Sequence, residues 1–331
     1  MRSKIRFLII TILLLICGLM SITGIAFAED KYTFIAITHG PVTEPFHIKM
    51  QKGFETACAL FPEEVKGIWM GPEKYSVENY VEMINSAVEM NPDAIFCTMA
   101  GLEAIDKTLR EVINKGIPVI AFNTADFRPK EERIPYLSYV GANSYQEGVM
   151  IASEALKRAK FEITGAYALN SNPGHPGQDQ RIKGFVEVVK DAGIPIHVVL
   201  GGKVDAAEFS ELCFAYVQGH PETNLTFTTF AYECELNITK FEREGYKPGI
   251  DGNILNVSVG STATLFDYLK EGKIPFLLDQ QGYFQGYYPV IFAYNYLKYG
   301  LVPPPTFDTG PNILDMSAYE IYMKWAPKMI R

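Results

Sequence analysis

The sequence predicts an α/β protein built from two doubly wound parallel sheets in series, each with helices on both faces. Three observations predict it. Short apolar runs alternate with amphipathic runs of helical period, turn residues separate them, and the same alternation restarts after residue 140. Strand–helix repetition at this spacing gives parallel strands joined by crossovers, and two such units leave a seam between them.

The first strand is 34–37, closed by Gly40 and Pro41, and a helix opens after Pro45 with Met50, Phe54, Ala57, Cys58 and Phe61 at helical spacing. Next come a strand at 65–70, a helix carrying Val77, Tyr80, Val81, Ile84, Ala87 and Val88, and the strand 94–97 after Asn91-Pro92-Asp93. A helix through Leu102, Ile105, Leu109, Val112 and Ile113 stops at Gly116 and yields the strand 118–122. The pattern resumes with strand 136–140, helix 145–160, strand 163–169, helix 180–192, strand 196–200, helix 206–218, strand 225–230, helix 233–244, strand 254–259, helix 262–271 and strand 276–278. A last helix at 284–299 reaches Pro303-Pro304-Pro305, after which the tail reads as extended.

In an open parallel sheet, ligands sit beyond the carboxyl ends of the strands. The loop 38–47, with His39, Glu44, Phe46 and His47, is therefore placed where a pocket forms.

Residues 1–28 carry Arg2, Lys4 and Arg6 ahead of an apolar run from 7 to 20 and end in Ala26-Phe27-Ala28, the pattern of a cleaved secretory signal. Cys17 follows Ile16, which disfavours lipid anchoring. Removing 28 of 331 residues leaves 303, enough for two domains, and loss of the three cations moves the formal charge from −8 to −11. So acidic a chain is a poor nucleic-acid binder. Cys58, Cys97, Cys213 and Cys234 have no C-x-x-C spacing, which argues against zinc and for buried free thiols.

T-H-G-P-V-T-E-P-F-H after the first strand, G-I-P-V-I-A-F-N at 116–123, Y-V-G-A-N at 139–143, R-I-K-G-F at 181–185 and D-Q-Q-G-Y-F-Q-G-Y-Y-P at 279–289 together resemble the type I periplasmic sugar-binding proteins, the ribose and galactose-binding group. The resemblance spans essentially the whole mature chain. It implies two lobes joined by a three-crossover hinge with one ligand in the cleft, crossovers near Gly141, Gln280 and Asp308, a first lobe of 29–141 plus 281–308, and a second of 142–280 plus 309–331.

Site residues follow from the same resemblance. Where the family has two rings after Asn-Pro or Asp-Pro, this chain has Glu44, Pro45, Phe46 and His47, so Phe46 would cover a sugar's C–H face while His47 and Glu44 reach its hydroxyls. Arg181 matches the family's ligand arginine. Its guanidinium fork suits ring and hydroxyl oxygens, and a helix start is otherwise a poor place for a cation. Asn123 stands where Asp is common, and Gln280 at the family's crossover glutamine. Two contacts are missing, since Val259-Gly260 and Ala231-Tyr232 replace Asp-Gly and Asn-Asp; Tyr232 would substitute for one with a phenol, and a smaller or less oxygenated ligand fits the loss.

The expected function is that of an exported, monomeric, cofactor-free solute-binding protein, which captures a small neutral sugar or polyol and delivers it to an ABC permease. A sensor component for a furanose signal and an exported enzyme on the same fold are the alternatives, and the absence of a G-x-S-x-G nucleophile motif speaks against the enzyme. Truncating Arg181 is expected to cost about 2–3 kcal/mol of affinity without loss of stability.

Overall fold

Apolar runs four to six residues long have no polar face to show to water, so they become strands covered on both sides. In the computed structural model the segments Ala94–Cys97, Val119–Phe122 and Leu225–Thr228 are buried at every position, as expected of parallel strands between two helical layers. The structure describes residues 31–74, 76–201 and 206–330; the expected leader, 1–28, lies outside the described residues.

The chain begins with β1 (Tyr32–Ile37), α1 (Pro45–Cys58), β2 (Val65–Met70), α2 (Val77–Glu89), β3 (Ala94–Cys97), α3 (Leu102–Asn114), β4 (Val119–Phe122) and β5 (Ser138–Ala142). It continues with α4 (Ser144–Arg158), β6 (Ala166–Asn170), α5 (Pro176–Asp191), β7 (Ile196–Leu200), α6 (Ala206–Gly219), β8 (Leu225–Thr228), α7 (Ala231–Arg243), β9 (Leu255–Ser258), α8 (Ala263–Lys270) and β10 (Leu277–Asp279). Then come α9 (Gly282–Tyr299), β11 (Thr306–Gly310), β12 (Asn312–Leu314) and α10 (Tyr319–Trp325).

The first lobe is built on a six-stranded parallel sheet in the order β2-β1-β3-β4-β5-β11, and the second on a four-stranded parallel sheet in the order β7-β6-β8-β9. Both orders reverse direction, between β1 and β3 and between β6 and β8. β12 pairs antiparallel with β10, which itself touches the loop after β9 through a Gly260–Leu278 bridge. The chain crosses between lobes three times: from β5 into α4, from β10 into α9, and from β11 into β12. α9 packs Val290, Ala293 and Tyr294 against Phe34, Phe54 and Phe96 of the first lobe, while α10 puts Tyr322 among Leu265, Phe266 and Leu277 of the second.

Two helix pairs set the spacing around the seam. A Cβ on Gly53 (α1) would lie 1.9 Å from the Tyr283 carbonyl oxygen of α9, and one on Gly286 (α9) 1.8 Å from the Met50 oxygen of α1. Likewise a Cβ on Gly184 (α5) would lie 2.2 Å from the Tyr145 oxygen of α4, and one on Gly148 (α4) 2.0 Å from the Arg181 oxygen of α5. These glycines let backbones touch, and the phenylalanines after two of them, Phe54 and Phe185, fill the cores beneath.

The sequence periodicity differs from the structure at the edges. α5 starts at Pro176, a turn earlier than its apolar periodicity, because His175 caps it. The extended tail contains β11 and β12 and ends in α10, too short for a repeating apolar stripe. The four thiols are unpaired, with Cys97, Cys213 and Cys234 buried and Cys58 partly so.

Candidate functional site

Loops after the first and third strands of each sheet meet at the topological switch points, and these face each other across the seam. From the first lobe, His39 follows β1 and Thr98 follows β3. The His39 Nδ1 lies 2.9 Å from Thr98 Oγ1, and Tyr80 of α2 completes the group, its hydroxyl 2.7 Å from the same oxygen. His47, in the first turn of α1, places Nδ1 2.8 Å from Thr38 Oγ1, and its ring centroid lies 5.5 Å from that of His39. Phe46 lies beside it, half-buried, with its ring against Gly282 at the start of α9.

From the second lobe, the loop after β6 brings His175, whose Nε2 is 3.3 Å from the Nε2 of His39. Arg181, in the second turn of α5, donates from Nε to a Glu147 carboxylate oxygen on α4 at 2.7 Å, and its Nη1 reaches the Thr229 carbonyl after β8 at 3.4 Å. Glu147 is fully buried and Arg181 nearly so. A second contact across the seam joins Lys49 of α1 to the Ser261 carbonyl at 3.3 Å and the Tyr322 hydroxyl at 3.4 Å.

The electrostatics follow from burial. Desolvation lowers the pKa of His39 well below the ordinary imidazole value, with repulsion from His175 and His47 adding to it. Desolvation takes His175 down to about 4, and Arg181 contributes. His47 is also lowered by burial, against the opposing pull of Glu44 and a hydrogen bond to the Gly40 carbonyl. At neutral pH all three rings are uncharged, and the Arg181–Glu147 pair carries no net charge.

The expected residues are not equally placed. Phe46, His47 and Arg181 converge on the seam. Glu44 is the N-cap of α1, its carboxylate accepting the His47 N–H at 3.0 Å, so much of its capacity is spent on the helix end. Asn123 occupies the left-handed region at φ 62°, where asparagine is among the least strained side-chain-bearing residues, and donates to Gln285 Oε1 at 3.2 Å. Gln280 is buried at the crossover; its carbonyl accepts from Gln285 Nε2 at 3.1 Å and Thr309 Oγ1 at 2.7 Å. Both belong to the hinge network around Gln285, and the Asn123 carbonyl also accepts from the Tyr139 hydroxyl at 2.9 Å. Tyr232 is 60% exposed on the first turn of α7 and is not drawn into this convergence.

Arg181 also differs from its expected role in stability. With a fully buried carboxylate as partner, its truncation would leave Glu147 uncompensated, which destabilises the fold as well as the site. Sequence reasoning missed Glu147, Lys49 and His175, and placed His39 in the pocket-forming loop without naming it a ligand contact. The one signal for His175 was the turn-rich Asn-Pro-Gly-His-Pro-Gly loop before a helix.

Two α/β lobes with facing switch-point loops and three crossovers define the two-lobed architecture of a periplasmic binding protein. The chain belongs to the periplasmic binding protein domain family, whose model matches residues 35–301. It is 26% identical over 306 residues to the xylose/arabinose-binding protein of Sulfolobus acidocaldarius, covering 89% of this chain and 74% of that protein. It is 24% identical over 228 residues to the galactofuranose-binding protein of Escherichia coli, covering 66% of this chain and 70% of that protein. In structure it is similar to a carbohydrate transporter from Acidothermus cellulolyticus in complex with myo-inositol, with a TM-score of 0.78, 21% identity, and coverage of 91% of this chain and all of that one. Among the described residues, no helix is long and apolar enough to cross a membrane.

Proposed function

We propose that the chain is an exported, monomeric solute-binding protein that captures a small neutral sugar or polyol between its lobes and presents it to an ABC permease. The observation that carries this reading is the Arg181–Glu147 pair, which offers the seam guanidinium donors while adding no net charge. Opposite it stand rings, Phe46 and His47, suited to C–H faces and hydroxyls. A neutral, oxygenated, partly apolar solute matches that combination. The relatives named above for xylose, arabinose and galactofuranose support the same class.

The lobes would be 29–141 plus 281–308 and 142–280 plus 309–331, moving about the three crossovers. Phe46, His47 and Arg181 would contact the solute directly, with Asn123 and Gln280 holding the hinge network, Glu44 orienting His47, and Tyr232 at the rim. Closure then shifts a population by no more than the solute's preference for the closed form.

A thermal-shift screen of pentoses, hexoses, inositols, amino acids and organic acids tests the reading, followed by small-angle scattering with the best ligand. A neutral sugar or polyol should give the largest shift and decrease the radius of gyration. A strong response to an anion alone would end the neutral-ligand proposal.

A further inference from the structure

The contact between His39 and His175 is made by two neutral rings, and their neighbours dictate where each proton sits. His175 caps α5, with Nδ1 accepting the Gln178 N–H at 3.4 Å, so the neutral ring carries its hydrogen on Nε2. That N–H points at His39 Nε2, 3.3 Å away, which accepts. His39 then carries its own hydrogen on Nδ1 and donates to Thr98 Oγ1. Thr98 passes its hydroxyl hydrogen to Tyr80, and Tyr80 donates to the Thr98 carbonyl at 2.6 Å. Each hydrogen in this series has an acceptor.

We propose that His39 and His175 form a proton-sensitive clasp of the binding cleft, holding the lobes together when both rings are neutral and releasing them when either is protonated. The proposal rests on the reading of the chain as a hinge-closing sugar binder and deepens it, because it makes capture dependent on pH.

An additional proton has two places to go. On His39 Nε2 it sets one N–H against another across the seam. On His175 Nδ1 it leaves the Nε2–H contact in place but removes the cap of α5 and puts a cation beside Arg181 at a helix N-terminus; that cost is partly relieved when the lobes part and water reaches the ring. Surrounding charges reinforce this outcome. Arg181 on α5 and His47 on α1 repel a new cation. The nearby carboxylates are engaged elsewhere: Glu44 with His47, Glu147 with Arg181, and Asp179 with Asn170 and the Gly174 N–H. Tyr80 and Cys97, packed behind His39, are both pushed upward by burial and stay neutral.

The sign follows from linkage. With the lobes apart the imidazoles regain water and take up protons more readily than when joined, where burial lowers both, so closure weakens as pH falls through the ordinary imidazole range. It levels off below the joined-state pKa. For His175, a full change from 6.5 to about 4 would weaken closure roughly thirtyfold between pH 8 and pH 5; Arg181 and the α5 terminus act on it with the lobes apart as well, so thirtyfold is its ceiling, and His39 adds a change of the same sign.

The test uses the full chain with spin labels at two exposed positions, Lys107 on α3 and Lys190 on α5, and reads interlobe distances without ligand at pH 8, 6.5 and 5. Wild type should lose its shorter-distance population as pH falls. His39→Gln and His175→Gln should each lose less, and the double variant none. A distribution independent of pH in wild type, or an undiminished dependence in the double variant, overturns the clasp. Calorimetry with D-xylose, L-arabinose, D-tagatose and myo-inositol forms a second arm, none of which titrates in this range. The best binder should weaken about tenfold or more from pH 8 to pH 5 in wild type and less than threefold in the double variant; equal weakening in both overturns the clasp. If no sugar binds at pH 8, the sugar-binding reading fails, and the spin-label distances still decide the clasp.

Discussion

The two helix pairs that flank the seam share one frame and fill it differently. In α1 a capping side chain, Glu44, precedes Pro45, and Gly53-Phe54 follow; in α5 the cap is His175, then Pro176, with Gly184-Phe185 at the same distance along the helix. Their partners match as well, since Tyr283 and Gly286 of α9 meet α1 as Tyr145 and Gly148 of α4 meet α5. The residue that differs is the one facing the seam. Where the first pair sets buried Met50 and Gln285, the second sets Arg181 and Glu147. Gln285 satisfies its amide within the hinge, through Asn123, Thr309 and the Gln280 carbonyl. Arg181 has a charge to balance. A single packing frame thus supplies a neutral hinge on one side and a set of charged donors on the other.

The largest effect is expected from breaking that pair. Glu147→Gln leaves a buried guanidinium uncompensated and should destabilise the protein by about 3–5 kcal/mol. Adding Arg181→Met, which copies the first lobe's composition, should recover most of that stability while ligand binding is lost. Urea unfolding of both variants measures this, and a double variant as unstable as the single would mean the two helix pairs are not interchangeable.

A second carboxyl separates the lobes by pH. Glu233, buried in the first turn of α7, is raised by desolvation to about 7. A carboxyl with a raised folded-state pKa holds its proton more tightly when folded, so stability is greatest below 4.5 and falls as pH rises through 7. The shift from 4.5 corresponds to about 3 kcal/mol at pH 8. Glu233→Gln should therefore stabilise the protein by about that amount at pH 8 and by little at pH 4. Equal gains at both values would place the effect outside its ionisation.

Affinity should respond next. Arg181→Lys keeps a cation beside Glu147 but loses the planar fork, and a cost of about 2 kcal/mol, roughly thirtyfold in Kd, is expected. Stability should change far less than in Glu147→Gln. Phe46→Ala removes ring area from the other lobe and should weaken binding by about 1–2 kcal/mol. If Phe46 matters and Arg181 does not, the charged side serves structure alone.

The strands and helices were legible because their burial is encoded locally, as four-residue apolar runs and stripes of helical period. The R-x-x-G-F segment was legible for a related reason: Gly184 and Phe185 are fixed by close backbone approach and core filling. Glu147 was not, since it lies 34 residues from Arg181 and nothing local distinguishes it from a surface acid. His175 is an unusual cap, so neither its helix start nor its reach to His39 showed in the pattern. Those contacts exist only once two lobes meet.

The smallest effect is expected at Tyr232, where the resemblance placed a phenol in exchange for a missing amide or carboxylate. Its helix begins two residues earlier than the apolar pattern suggested, and the side chain is 60% exposed beside the also exposed Phe230. Residues at the rim of a site contribute little on truncation, because water replaces what is removed. Tyr232→Ala should accordingly leave both affinity and stability within about 0.5 kcal/mol of wild type. Calorimetry with the best ligand from the screen decides it. A loss beyond tenfold would mean that this ring folds in over the solute, so that the second lobe supplies an aromatic face as well as its guanidinium and the contrast between the lobes is one of charge alone.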